Sequence, residues 1–147
     1  MTSLPPGFEW SALVPELLVG DLGESLRFWC DWCGFSVAYD RPEDRFAYLH
    51  RAGCQVMLEE VLEPGRRWIT GELDRPYGRG INLQMTVDDL DPIVAKLNQN
   101  GWPLYLEPEV KWYRAGERET GVRQFLVQDP DGYLLRFSQP LGLRTAR

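Results

Sequence analysis

Five polar residues on strand-like segments have the types and spacing to hold a small molecule: Glu16, Glu59, Asn82, Gln84 and Arg136. Two carboxylates, two amides and a guanidinium can orient a polar ligand. With Glu16 or Glu59 as general base and Arg136 beside a developing negative charge, the same set can move a proton. Arg136 stands in "VQDPDGYLLRFSQ", in a strand that would ordinarily carry a smaller or apolar side chain there. An unpaired buried charge is costly, so the expectation is a cavity position compensated by Glu16 or Glu59. Aromatic faces for stacking a flat ring or meeting a cation come from Trp112 and Tyr113 in "KWYR" and from Trp68 and Trp102. Each is equally an ordinary core or rim residue, and Trp112, flanked by Lys111 and Arg114, is the hardest to place in a core. "CDWC" has the C-x-x-C spacing of redox pairs, yet it falls late in a predicted helix, so Cys30 and Cys33 read as buried thiols.

The elements that position these residues form two copies of one unit. "LVPELLVGDLGESLRFWCDWCGFSVAY" predicts a strand over 13–19, then a helix capped by Asp21 with Glu24 three residues on. Leu22, Leu26, Trp29 and Cys33 fall at helical spacing, with Gly34 as a left-handed stop. Three strands follow in "FSVAYD", "RFAYLHR" and "CQVMLEE". The second half repeats this order, with Asp88 as the expected cap, Leu90, Val94 and Leu97 as the apolar stripe, and Pro92 tolerated in the first turn. "VGDL" matches "VDDL", and the strand pair around "RAGCQVMLEE" matches the pair around "DPDGYLLRFS". The segment 61–79, rich in Pro, Gly and Arg, and the charged segment 107–122 read as irregular. The expected layout is an N-terminal extension (1–11), a first βαβββ module (12–64), a linker (65–79), a second module (80–140) and a tail (141–147).

Strand alternation then sorts the faces. Leu13, Leu17 and Val19, and Ile81, Leu83, Met85 and Val87, go under the helices. Val14, Glu16, Leu18, Gln55, Met57 and Glu59, then Asn82, Gln84, Thr86, Leu134, Arg136 and Ser138, take the face without a helix. A half-buried sheet often turns such a face to plain solvent. Apolar walls formed by Val14, Leu18, Met57 and Leu134 around convergent polar groups instead describe a ligand cavity.

Bulk properties narrow the classes further. With 147 residues, 44% hydrophobic, the chain can bury its own core. A net charge of −6 disfavours nucleic acid and anionic membranes as partners and favours a cationic small molecule. No apolar run is long enough to span a bilayer and "MTSLPPGFEW" is unlike a leader, so the expected location is cytoplasmic. Three cysteines do not make a disulfide scaffold.

The paired units, "LLVGDLGESLRFWCDWCGF" and above all "FLVQDPDGYLLRFSQ" resemble the vicinal oxygen chelate superfamily, which includes glyoxalase I, extradiol dioxygenases, fosfomycin-resistance enzymes and bleomycin-resistance proteins. The resemblance covers about residues 12–140. It implies an α+β fold of two tandem βαβββ modules forming a cup-shaped mixed sheet, paired in a homodimer. Enzymes of this superfamily hold a divalent metal at positions that fall here on Val14, Asn82, Met57 (or Leu58, if the register slips by one) and Arg136. Val and Met offer no hard donor, Asn is weak and Arg repels a cation, so no metal or other cofactor is expected. The resemblance then points to the bleomycin-resistance branch, which sequesters a large cationic ligand without chemistry. The implied contacts are Glu16, Met57, Glu59, Trp68, Asn82, Gln84, Trp112, Tyr113 and Arg136. A metal-free or metal-dependent lyase or isomerase is the alternative, and a purely structural dimer with a collapsed cup is a third.

Overall fold

The computed structural model describes residues 3–61 and 68–147. Residues 1–2 of the expected extension, 62–64 of the expected first module and 65–67 of the expected linker lie outside the described residues. The chain divides into two compact units, Met1–Tyr77 and Gly78–Arg147. The class is α+β, and each unit is a four-stranded mixed sheet whose first strand is followed by helix.

The first unit runs β1 (Glu16–Val19), α1 (Leu22–Leu26) continued by a π-helical stretch (Arg27–Trp32), β2 (Ser36–Arg41), β3 (Phe46–Arg51) and β4 (Cys54–Glu60). Its strand order is β1-β4-β3-β2, with β1 parallel to β4 and the other pairs antiparallel. Asp21 caps α1, its carboxylate accepting the Glu24 N–H at 2.9 Å. The predicted regular helix gives way after Leu26, where the N–H of Cys33 donates five residues back to the carbonyl of Phe28 at 3.0 Å. That wider turn brings two adjacent aromatic residues, Phe28 and Trp29, into the core together with Ser25 and Cys33, leaving Leu22 and Leu26 half-buried. Gly34 ends the helix at φ +79°, and a Cβ there would lie 3.2 Å from Arg51 Nε. Leu13, expected under the helix, is 86% exposed because β1 begins only at Glu16.

The second unit runs β5 (Asn82–Thr86), α2 (Asp91–Gln99), β6 (Leu106–Ala115), β7 (Arg118–Gln128) and β8 (Leu134–Thr145), in the order β5-β8-β7-β6. Asp88 is not the cap of α2. Asp89 accepts the Asp91 N–H at 3.0 Å, and the side chain of Gln139 accepts the Leu90 N–H at 3.2 Å, and the helix starts later than predicted, with Leu90 in place of Asp88 as its N-cap. Its buried stripe is Leu90, Ile93 and Leu97, with Val94 half-buried. Ile81 is 63% exposed, for it precedes β5. Residues 107–122 are not irregular: they form most of the β6–β7 hairpin, paired from Glu109↔Gln124 to Ala115↔Arg118. Phe125 and Phe137 stack with centroids 5.3 Å apart beneath α2, on the same face as buried Val127 and Leu135.

The internal repeat extends to single hydrogen bonds. Glu60 Oε2 accepts the N–H of Leu22 at 3.0 Å, and Gln139 Oε1 accepts the N–H of Leu90. In both units the last strand satisfies a backbone donor at the start of the helix, a group the helix itself leaves without a partner.

Candidate functional site

Each sheet has one face under its helix and one without. In the first unit the helix-free face carries Glu16 and Leu18 of β1, Gln55, Met57 and Glu59 of β4, Phe46, Tyr48 and His50 of β3, and Tyr39 of β2, as the register requires. The segment before β1 lies over part of it. Phe8 packs edge-to-face on Tyr48 (6.0 Å) and His50 (5.5 Å), and Trp10 packs on Tyr48 (5.3 Å) and Tyr39 (5.9 Å). Gln55 fastens the segment: its carbonyl oxygen accepts from Ser11 N at 2.9 Å and from the Tyr48 hydroxyl at 2.5 Å, while its amide nitrogen donates to the Glu9 carbonyl at 2.6 Å. Each aromatic pair adds about 0.5–1.5 kcal/mol beyond the area it buries. Met57 and Val14 pack against the Ala38, Phe46 and Tyr48 cluster. Burial, and then the neighbouring Tyr39, raise the pKa of the Tyr48 phenol. The β2–β3 side of the expected open polar face is therefore an aromatic packing surface, while Glu16 at its other edge is exposed. The clue in the sequence was "GFEWS", two aromatics separated by one polar residue, the period of an extended segment with one apolar side.

In the second unit the helix-free face is polar. Asn82, Gln84 and Thr86 of β5 adjoin Leu134, Arg136 and Ser138 of β8, which adjoin Gln128, Leu126 and Gln124 of β7. Arg136 is flanked by Gln84 on one side and Leu126 on the other. Its Nε is buried and donates to no acceptor among the described residues. Glu16 and Glu59, expected to neutralise it, belong to the first unit. The ion-paired carboxylates of the second unit are engaged elsewhere, Asp91 with Arg123 at 2.8 Å and Glu119 with Arg144 at 2.6 Å. Gln124, only 3% exposed, donates to Glu109 at 3.1 Å and to the Tyr113 hydroxyl at 2.6 Å. This network was not anticipated, although Gln124 and Gln128 alternate with Phe125 and Val127 in the sequence.

Trp112 and Tyr113 stand on β6 and point to opposite sides of the hairpin. The Trp112 ring lies on the backbone of Gly121, where a Cβ would come within 2.6 Å of it, and the Arg144 guanidinium stands 4.1 Å from the ring centroid. One indole surface is thus already used within the unit. Tyr113 joins the Gln124 network, on the side that carries Arg136. Trp68 is 78% exposed in the segment before Tyr77. The structure thus brings Glu16 beside Met57, Gln84 beside Arg136, and Tyr113 beside Gln124.

The residues at the metal positions of the resembled enzymes do not fit a divalent ion. Val14 and Met57 are packed apolar side chains and Arg136 is a cation. Among the described residues, no group of three or more His, Cys, Asp or Glu side chains is arranged to hold a metal. A cleft of about 400 Å³ at the start of α1 is lined by Asp21, Leu22, Arg45, Phe46 and Glu60. Its acidic centre is already satisfied, Glu60 Oε1 pairing with Arg45 at 2.8 Å while Oε2 accepts from Leu22. Cys33 is fully buried, and the Cys30 thiol is pushed up to about 11 by burial and then by Asp31. Neither is poised for thiolate chemistry. No helix among the described residues is long and apolar enough to cross a membrane.

Comparison with known proteins agrees with this architecture. The family model for the glyoxalase/bleomycin resistance protein/dioxygenase superfamily matches residues 12–137. A probable lactoylglutathione lyase from Synechocystis is 28% identical, over 82% of this chain and 88% of the relative. A bleomycin resistance protein from Geobacillus stearothermophilus is 27% identical, over 87% of this chain and 96% of the relative. The crystal structure of TioX from Micromonospora sp. ML1 superposes with a TM-score of 0.68 at 24% identity, covering 90% of this chain and 100% of TioX, a likeness of fold. With two βαβββ units and a family match across most of its length, the chain belongs to the glyoxalase/bleomycin resistance protein/dioxygenase superfamily.

Proposed function

We propose that this protein is a small-molecule binding module, which holds an aromatic, polar ligand on the helix-free face of its second sheet without turning it over. The observation that carries this reading is the make-up of that face: amides, hydroxyls and one guanidinium beside the apolar Leu126 and Leu134, with little of its own chain engaged to satisfy Arg136. The relatives named bleomycin resistance protein support a sequestering role, and a net charge of −6 supports a ligand with cationic groups at its periphery, as in a bleomycin-like molecule. The partly exposed ring of Tyr113, on the same side as Arg136, offers surface for a flat ring. Pairing of two copies belongs to the same reading. A metal-dependent lyase is the weaker alternative, since the donors it needs are replaced by Val14, Met57, Asn82 and Arg136.

The test is an amide-resolved NMR titration of the full chain, at low salt and with a chelator present. Bleomycin and a set of flat heteroaromatic fragments serve as probes. Saturable shifts gathered on Asn82, Gln84, Leu126, Leu134 and Arg136 are expected. If no probe moves these amides, the reading is wrong.

A further inference from the structure

We infer that the ligand group seated against Arg136 is an anion, a carboxylate or an acidic heteroaromatic oxygen. This inference rests on the binding reading above and adds the chemical class. On the helix-free side of β5, β8 and β7, Asn82, Gln84, Thr86, Leu134, Ser138, Gln124, Leu126 and Gln128 are neutral, and Arg136 is the charged residue among them. Its Nε is shut off from solvent without an acceptor among the described residues. A buried donor left unmade costs about 1–3 kcal/mol, more for a charged group. An arrangement of this kind is disfavoured alone and favoured once an acceptor arrives.

The side chains around it are already committed in ways that leave the guanidinium over. Gln124 of β7 spends its amide hydrogens on Glu109 and Tyr113 of β6, so the Glu109 carboxylate is engaged at Gln124. Two further cations of β7 and β8, Arg123 on the helix side and Arg144 near the end of β8, have their own carboxylates in Asp91 and Glu119. Gln84, directly beside Arg136 in register, is an exposed amide able to donate to the same anion. Leu126 and Leu134, on the other side of Arg136 and next along β8, offer apolar contact to the body of the ligand. A guanidinium fork matches a carboxylate through two parallel N–H···O bonds, a geometry that neither an amide nor an amine can copy. An acid with a flat apolar body meets all three neighbours. A ligand whose group at this point were cationic would face an unscreened like charge.

The experiment compares matched probes on the full chain: phenylacetate, phenylacetamide and phenethylamine, then indole-3-acetate with its amide and amine analogues. Binding is read from the Arg136 Nε–H resonance and from the backbone amides of Gln84, Leu126 and Leu134. The acids are expected to bind at least about 10-fold more tightly than their amides, consistent with a charge-assisted pair. They should shift the Nε–H signal, and the amines should not compete. In Arg136→Met the acid and its amide should become equal, and in Arg136→Lys part of the preference should remain. The wild-type comparison needs no variant, so misfolding of Arg136→Met would leave the result standing. If amides or amines move the same amides as well as the acids do, the inference is overturned while the binding reading survives. If no probe of any class moves them, both fall.

Discussion

The two sheets share one topology and one register, yet they use their helix-free faces in opposite ways. Phe46, Tyr48, His50 and Met57 of the first unit stand at the positions that Gln124, Leu126, Gln128 and Arg136 hold in the second. On one side the set is aromatic and apolar, and Phe8 and Trp10 lie across it. On the other it is made of amides around a guanidinium with a buried, unmade donor. The under-helix faces differ far less, since Leu58 and Val56 answer to Phe137 and Leu135, and Glu60 answers to Gln139. Packing against a helix constrains what a position can hold. A face released from that duty is free for internal packing or for a ligand, and here the first is packed while the second keeps a guanidinium with an unmade donor.

Exchanging the residues at one equivalent position gives the sharpest test. Met57→Arg would set a guanidinium among Phe46, Tyr48 and Phe8 and is expected to cost more than about 3 kcal/mol in urea unfolding. Arg136→Met removes a buried unmade donor and is expected to lie within about 1 kcal/mol of the parent, on the stabilising side. Equal losses from the two changes would break the contrast. A smaller effect comes from the N-terminal segment. Replacing Phe8 and Trp10 by Ala together should cost about 2–3 kcal/mol through lost ring contacts. Hydrogen exchange should quicken at Tyr48 and Gln55 and stay unchanged at Phe125 and Phe137. The smallest concerns what the units share. Glu60→Ala and Gln139→Ala each remove an acceptor from the start of a helix, worth about 1 kcal/mol. The Glu60 change should be the larger because Arg45 loses its partner as well, and exchange at the Leu22 and Leu90 amides would report both.

How far the sequence revealed this follows from where alternation was kept. Leu135, Arg136 and Phe137 differ sharply in polarity, so the helix-free side of β8 could be read directly, and the "VGDL" and "VDDL" echo exposed the repeat. Along β6 both sides are largely exposed, so Lys111, Trp112, Tyr113 and Arg114 show no apolar stripe and resemble a loop although they form strand. The cap of α2 was misplaced because Asp88 and Asp89 are adjacent and chemically alike. Which one turns toward the helix depends on Gln139, far along the chain. The covering of the first face was missed for a related reason: Gln55, which holds Glu9 and Ser11, lies 44 or more residues away from them.

Those long spans have a consequence for the order in which a nascent chain can close. The segment with Phe8 and Trp10 leaves the ribosome well before its clasp at Gln55, which appears only when the first unit is nearly all made. The backbone donor at Leu22 likewise waits for Glu60, 38 residues on, and that at Leu90 waits for Gln139, 49 residues on. Each half of the protein is therefore sealed from its far end, with its earliest aromatics, Phe8 and Trp10, left bare until translation has passed the final strand of the first half.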